Sequence, residues 1–261
     1  MSNTRRLRVL SIAHPAVLRA VGRRRYHFLG SRSDLDVHLL VPRRWHQFGR
    51  WMDADPPDDP GVTVHIEPIW LPRAPLASWY LHVYPGLDRL IDAVRPDLIH
   101  LWEEPWSLVA WQAMLSRRNA PMVLEVDQNI LKPLIFPFEQ IRRFVLRRTD
   151  HILARSPDAD AVVRACGFAG ESSLIAYGVD QETFFPKPSS GADRSGLSLG
   201  YVGRLVVEKG LDDAIEALAA CPRQVTLSIM GEGPHEAALR AKAESLGLGG
   251  RVTFQGWGNA K

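Results

Sequence analysis

Short runs of apolar, often β-branched residues alternate along the chain with stretches whose apolar positions recur every three or four residues. The runs RVLSIA (8–13), VHLLVP (37–42), VTVHIEPI (62–69), DLIHLW (97–102), MVLEVD (122–127), HILARS (151–156) and SSLIAY (172–177) predict strands. Their nearly unbroken apolar character suits strands covered on both faces of a parallel sheet. Between them, Leu87, Leu90, Ile91 and Val94 mark one face of a helix. A second helix is predicted from Pro105 to Arg118. Glu103 and Glu104 stand at its N-terminal end, Arg117 and Arg118 in its last turn, and Asn119 and Pro121 stop it. So regular an alternation implies a doubly wound α/β domain with right-handed crossovers.

The pattern breaks at GVDQETFFPKPSSGADRSG (178–196), where Pro, Gly and Ser concentrate and predict a linker. It then restarts. LSLGYVG (197–203), QVTLSIMG (224–231) and RVTFQG (251–256) predict strands. Leu211, Ile215 and Leu218 mark one intervening helix. Pro234 opens the next, Leu239, Ala243 and Leu246 line it, and Gly247 closes it. The expected organisation is a first domain over 1–190, with its linker at about 178–196, and a second over 197–261. Three strands and two helices make half of a second α/β domain, so the chain is expected to be a fragment of a longer protein.

Composition narrows the class. The 261 residues suffice for two domains, and 46% apolar with 23% charged residues is ordinary for a soluble globular protein. No apolar run is long enough to span a bilayer, and MSNTRRLRVLSIAHP does not read as a signal peptide, so a cytoplasmic location is expected. Cys166 and Cys221 fall in different elements with no metal-ligand spacing and read as idle thiols. The net charge of +3 conceals an arginine-rich start, with eleven Arg and only Asp34 and Asp36 in the first fifty residues. Arg23, Arg24 and Arg25, together with RRFVLRR (142–148), are either solvated helix faces or a surface that docks on an anionic leaflet.

Candidate chemistry concentrates in YVGRLVVEKG (201–210). Arg204 follows Gly203 at a strand end, and Lys209 comes just before a helix. In an open parallel sheet, ligands bind beyond the carboxyl ends of the strands, where free amides and the helix dipole favour anions. Both cations can meet one diphosphate there, Arg as a planar fork and Lys as a mobile point charge. The alternative is two surface cations paired with Glu208, Asp212 or Asp213. GEGP (231–234) is either a cradle for phosphate or ribose through Gly231 and Gly233, or an ordinary turn. Neither a G-x-G-x-x-G after the first strand nor a Walker loop is present.

YVGRLVVEKGLDDAIEAL, LSIMGEGP and LGLGGRVTFQGWG together resemble the donor-binding domain of the family-four retaining glycosyltransferases. YGVDQETFFP resembles the segment closing their first domain, and PDLIHLWEEPWSLVAWQA and APMVLEVDQNI their acceptor-side domain. The resemblance implies a GT-B fold, with two Rossmann-like domains of which the second is incomplete here. It implies sugar transfer from a nucleotide-diphosphate donor to a glycan, lipid-linked or small-molecule acceptor, with retained configuration, no metal and no further cofactor. Arg204 and Lys209 match the family's diphosphate-holding pair. The family's downstream acidic pair lies beyond the chain's last residue, so turnover is expected only of the full-length protein. The stretch HPAVLRAVG replaces the Gly-Gly loop of many members, and EVDQN offers Asp127, Gln128 and Asn129 where many have a histidine.

On the acceptor side, His14 ends the first strand and Asp127 the fifth. His14 is either a contact for a sugar or acceptor hydroxyl or a turn residue before Pro15. Asp127 either orients the attacking hydroxyl or is a helix cap or turn residue. At least one of Glu103 and Glu104 is expected to stabilise a helix N-terminus, and the other can bind acceptor hydroxyls. His38, His65, His100 and His151 read as core or sheet residues, and Trp102, Trp106 and Trp111 either stack a sugar ring or pack in the core, the core being the favoured reading. Two alternatives stand beside this reading. One is a sugar-nucleotide epimerase of the same fold. The other is a nucleic-acid-binding protein using the basic start, disfavoured because no binding module interleaves with the arginines.

Overall fold

The computed structural model describes residues 5–47, 50–70, 78–182, 184–186 and 196–258. The chain divides into two compact units, Met1–Gly178 and Val179–Lys261. Most of the 178–196 segment expected as a linker, namely 183 and 187–195, lies outside the described residues, as do the last three residues of the chain.

In chain order the first unit contains β1 (Leu7–Ile12), α1 (Arg24–Gly30), β2 (Leu35–Pro42), β3 (Arg44–Gln47), β4 (Arg50–Asp53), β5 (Val62–Glu67) and a single-turn α2 (Ser78–Leu81). It continues with α3 (Leu87–Val94), β6 (Leu98–Leu101), α4 (Leu108–Ser116), β7 (Met122–Val126), α5 (Phe138–Leu146), β8 (His151–Ala154), α6 (Pro157–Ala165) and β9 (Glu171–Leu174). Seven strands form one parallel sheet in the order β5-β2-β1-β6-β7-β8-β9. All seven expected strands are present, most of them trimmed by a residue or two at their ends.

Strand alternation sends Leu10, Ile12, Ile99, Leu101, Leu124 and Ile152 to one face, where they pack with α3, α4 and α5. The other face carries Val37, Leu39, Val41, Val62 and Val64 against Tyr26 of α1. Both faces are therefore covered, which is why the strands read as continuous apolar runs. Leu87, Ile91 and Val94 of α3 are buried as their spacing predicts.

Three local features differ from the sequence reading. The antiparallel pair β3–β4 and the short α2 were not anticipated. Helix α4 starts at Leu108, after the Ser107 hydroxyl accepts a hydrogen bond from the Ala110 amide at 3.1 Å. Neither Glu103 nor Glu104 lies in its first turn, so helix stabilisation is not the role of either.

The second unit holds β10 (Ser198–Val202), α7 (Leu211–Ala220), β11 (Thr226–Met230), α8 (Glu236–Ser245) and β12 (Val252–Phe254). The strands form a parallel sheet in the order β10-β11-β12. Leu211, Ile215 and Leu218 of α7 and Leu239 and Ala243 of α8 close its core. Pro234 precedes the helix rather than opening it. Leu246 is exposed, and Leu248 fills the core place expected of it.

Candidate functional site

Strand order reverses at β1, which lies between β2 and β6, so crossovers leave the two neighbours in opposite directions. Such a switch point opens a crevice beyond the carboxyl ends of the strands. Ile12 and Leu101 are register partners there. His14 and Glu103 each stand two residues further on, and the fold brings them together. The Glu103 carboxylate is wholly buried, accepting from the His14 amide at 2.8 Å and meeting His14 Nδ1 at 2.6 Å. The Trp45 ring lies 4.5 Å from the His14 ring, and His82 Nε2 lies 3.8 Å from Glu103 Oε1.

Sequence spacing shows no metal-ligand cluster, yet His14, His82 and Glu103 place ligand atoms within 4.8 Å of one another. They come from three distant stretches of chain, which spacing alone cannot connect. Among the described residues, these three form the group that could hold a cation. Both Glu103 oxygens already accept from His14, so the arrangement is organised as a hydrogen-bonded pair beside a second imidazole.

Glu104 points into a different environment. It is half-buried, and its Oε2 has no hydrogen-bond partner among the described residues. Burial, then the nearby Asp127 and Glu103 carboxylates, push its pKa up to about 8, with Lys132 opposing. At neutral pH Glu104 therefore largely keeps its proton and can donate it in a hydrogen bond. The exposed Asp127 carboxylate accepts from the Tyr177 hydroxyl at 2.8 Å. It is not a helix cap, because α5 begins only at Phe138 and is preceded by Pro137. Gln128 donates to the Ile130 carbonyl at 2.9 Å, and Asn129 is exposed. Sequence reasoning missed His82, Trp45 and Tyr177.

It also missed an ion cluster on the α1 face of the sheet. Buried Glu125 on β7 receives both terminal nitrogens of Arg25, at 2.9 and 2.8 Å, and Arg155 Nε at 2.9 Å. His100 Nε2 lies 3.3 Å away, and its Nδ1 meets the Ser11 hydroxyl, itself bonded to Tyr26. Burial alone raises a carboxyl pKa, but His100 and Arg25 outweigh it and hold Glu125 at about 2. Arg25 also stacks over Trp102, 4.3 Å from the ring centre.

The surface reading is corrected for Arg23 and Arg25. Arg23 is wholly buried, bonded to Asp59 at 2.8 Å and to four backbone carbonyls, and Arg25 is turned to Glu125. In the second run Arg142 is buried beside Glu139. His38 and His65 stack on the sheet with nitrogens 3.0 Å apart, as sheet residues. Trp106 is buried, Trp102 partly so, and Trp111 is 41% exposed, so Trp111 departs from the core reading.

In the second unit, Gly203 and Arg204 follow β10, and Lys209 ends a short 3-10 turn (Val207–Lys209) before α7. Both cations are exposed, and Gly210 between Lys209 and α7 adopts φ +65°. The Lys209 ammonium has no ion-pair partner among the described residues. Asp212 is engaged elsewhere, with His235 Nε2 at 2.6 Å and Lys242 at 3.6 Å.

The GEGP glycines have a packing reason. A Cβ at Gly231 would stand 1.8 Å from the Gly203 carbonyl oxygen, and one at Gly233 2.2 Å from that of Leu205. The two loops thus lie backbone against backbone, tied by Leu205 N to Glu232 O and His235 N to Leu205 O, both 3.0 Å. A turn residue of any other kind would drive the Arg204 loop off its neighbour.

Comparison with known proteins follows the same division. The model of Glycosyltransferase Family 4 matches residues 31–183, and that of Glycosyl transferases group 1 matches 185–261. A GDP-mannose-dependent α-(1-6)-phosphatidylinositol dimannoside mannosyltransferase of Mycobacterium tuberculosis is 30% identical over 197 residues. The match covers 66% of this chain and 50% of that protein. The D-rhamnosyltransferase WbpZ of Pseudomonas aeruginosa is 28% identical over 209 residues, 75% of this chain and 52% of its own. The chain thus spans about half the length of these curated relatives. Among solved structures, Anabaena HepE in complex with UDP aligns with a TM-score of 0.66 at 18% identity. That alignment covers 97% of this chain and 70% of that one. The galactosyltransferase WaaB aligns at 0.64 and 18%. The likeness places the fold in the GT-B class.

Proposed function

The chain belongs to Glycosyltransferase Family 4, and on that premise we propose that the whole protein moves a sugar, with retained configuration and without a metal, from a nucleoside diphosphate to an acceptor hydroxyl. The observation that carries the donor side is the pair of exposed cations flanking the turn between β10 and α7. Arg204 and Lys209 hold the donor diphosphate. As the bond from sugar to phosphate breaks, negative charge grows on the leaving oxygen, and two pre-placed cations stabilise that charge more than they stabilise the bound donor. Gly231 and Gly233 keep the neighbouring loop close enough to fix the Arg204 backbone.

The acceptor hydroxyl binds at the switch point of the first unit. Glu103 fixes the ring of His14 through Nδ1, so Nε2 is the nitrogen offered to an acceptor. Protonated Glu104 donates to an acceptor oxygen, and Asp127, steadied by Tyr177, accepts from the attacking hydroxyl. Nucleotide sugars as donors fit the relatives, one of which is GDP-mannose-dependent by name and one of which is solved with UDP-glucose.

Titration calorimetry with UDP and GDP tests the donor side. Arg204→Ala and Lys209→Ala are each expected to weaken binding about 10–100-fold, the weight of one hydrogen bond to a charged group. Unchanged affinity in both variants overturns the assignment.

A further inference from the structure

The transfer reaction gives His82 no task, yet its ring is wholly buried against the His14–Glu103 pair. The Gln112 side chain on α4 fixes the stretch that carries it, donating to the Tyr84 carbonyl at 2.7 Å and accepting from the Tyr84 amide at 2.9 Å. The Trp45 and Tyr84 rings wall the imidazole, with centroids 4.8 and 5.7 Å away. Both are buried, and neither the Trp45 indole nitrogen nor the Tyr84 hydroxyl has a hydrogen-bond partner among the described residues. Folded proteins rarely leave such groups unpaired, and two of them in one place point to a polar ligand beside them.

The donor set says which ligand. Two imidazole nitrogens and one carboxylate suit a borderline divalent ion such as zinc, whereas magnesium and calcium want oxygen. Zinc bonds of about 2.0–2.1 Å set tetrahedral ligand atoms about 3.3 Å apart. His14 Nδ1 and Glu103 Oε2 stand 2.6 Å apart, His82 Nε2 and Glu103 Oε1 3.8 Å, and the set lies within 4.8 Å. Movements of about 1 Å therefore bring it to the spacing zinc needs. Glu103 Oε1 accepts from the His14 amide, a bond that orients the carboxylate as outer partners orient metal ligands.

We propose that His14 Nδ1, His82 Nε2 and Glu103 Oε2 bind a zinc-class divalent ion, and that this ion blocks the transfer rather than assisting it. The coordinate bond at Nδ1 replaces the N–H that the Glu103 carboxylate accepts. A neutral ring then carries its proton on Nε2. The proton lost from Nδ1 is regained there, with no net release. The nitrogen offered to an acceptor hydroxyl thereby changes from hydrogen-bond acceptor to donor. That blocking effect rests on the acceptor-side reading above, while the binding of the ion does not.

Calorimetry with zinc chloride, on tag-free protein stripped with a chelator, tests the binding. A single equivalent is expected to bind and to raise the melting temperature with its concentration, whereas magnesium should do neither. Cobalt in its place should show the intense visible absorption of a tetrahedral ion. His82→Ala and His14→Ala should each weaken zinc binding by about 100-fold or more, since even the outer partners of a metal ligand are worth about 10–100-fold. His14→Ala, at the more open of the two positions, decides the matter if His82→Ala fails to fold. The double variant His38→Ala with His65→Ala removes the stacked imidazole pair elsewhere on the sheet and should bind zinc as the parent does. Nitrogen-15 NMR should show the His14 proton passing from Nδ1 to Nε2 as zinc is added. No zinc binding, equal binding of magnesium, full binding by His14→Ala, or loss of binding in the His38/His65 variant overturns the site. Zinc binding that leaves the proton on Nδ1 overturns the blocking effect. None of these measurements contains donor or acceptor, so a failure of the transfer reading stays distinct from a failure here.

Discussion

Glu103 holds His14 at two points, through the backbone amide at 2.8 Å and through Nδ1 at 2.6 Å, across 89 residues of sequence. The carboxylate is wholly buried, so its partner fixes both the turn after β1 and the orientation of the imidazole. Glu103→Ala leaves the His14 amide without its acceptor and is expected to destabilise the first unit by about 2–4 kcal/mol. Denaturant unfolding measures that cost. Nitrogen-15 NMR should show the His14 proton on Nδ1 in the parent protein and a mixture of tautomers in the variant. An unchanged tautomer would show that Glu103 does not set it.

Glu104 makes the opposite demand on pH. Its folded pKa of about 8 lies above the ordinary carboxylate value, so the folded state binds the proton more tightly than the unfolded state. Stability from this group is complete below the unfolded value and falls as pH rises from about 4.5 to about 8. Glu104→Gln, which stays neutral, should be more stable than the parent at pH 8 by up to about 4 kcal/mol and indistinguishable at pH 4. Melting temperatures across that range decide it, and a parallel pair of curves counts against a proton on Glu104.

Glu125 is held ionised between Arg25, Arg155 and His100, with a pKa near 2. Its contribution is present above the unfolded carboxyl value and is lost as pH falls from about 4.5 to about 2. Glu125→Ala leaves Arg155 buried without its carboxylate and should cost about 3–5 kcal/mol at neutral pH. The penalty should shrink in acid, where the parent loses the same interaction.

The loop glycines of the second unit give a steric prediction. Gly231→Ala and Gly233→Ala place a methyl carbon 1.8 and 2.2 Å from a backbone oxygen, and neither neighbour is a flexible side chain. Each should destabilise by about 3 kcal/mol or more, and UDP affinity should fall with the displaced Arg204 loop. Gly249→Ala, with nothing within 4 Å, is the control and should change stability by less than about 0.5 kcal/mol.

Periodicity alone determined much of this protein. Strands covered on both faces must be apolar throughout and helices apolar on one stripe, so ten strands and the helices at Leu87, Leu211 and Leu239 are legible in local sequence. The same logic places His14, Glu103, Glu104 and Asp127 beyond strand ends and Arg204 and Lys209 around one turn. What it cannot supply is which strand ends are neighbours. The order β5-β2-β1-β6-β7-β8-β9 decides that residues 14 and 103 meet, and it brings His82 beside them. The tertiary structure also decides that Arg23 and Arg25 bond to Asp59 and Glu125 rather than being offered to a surface. A charge in sequence has no direction. Its partner is fixed by register and strand order, which arise from contacts between segments far apart in the chain.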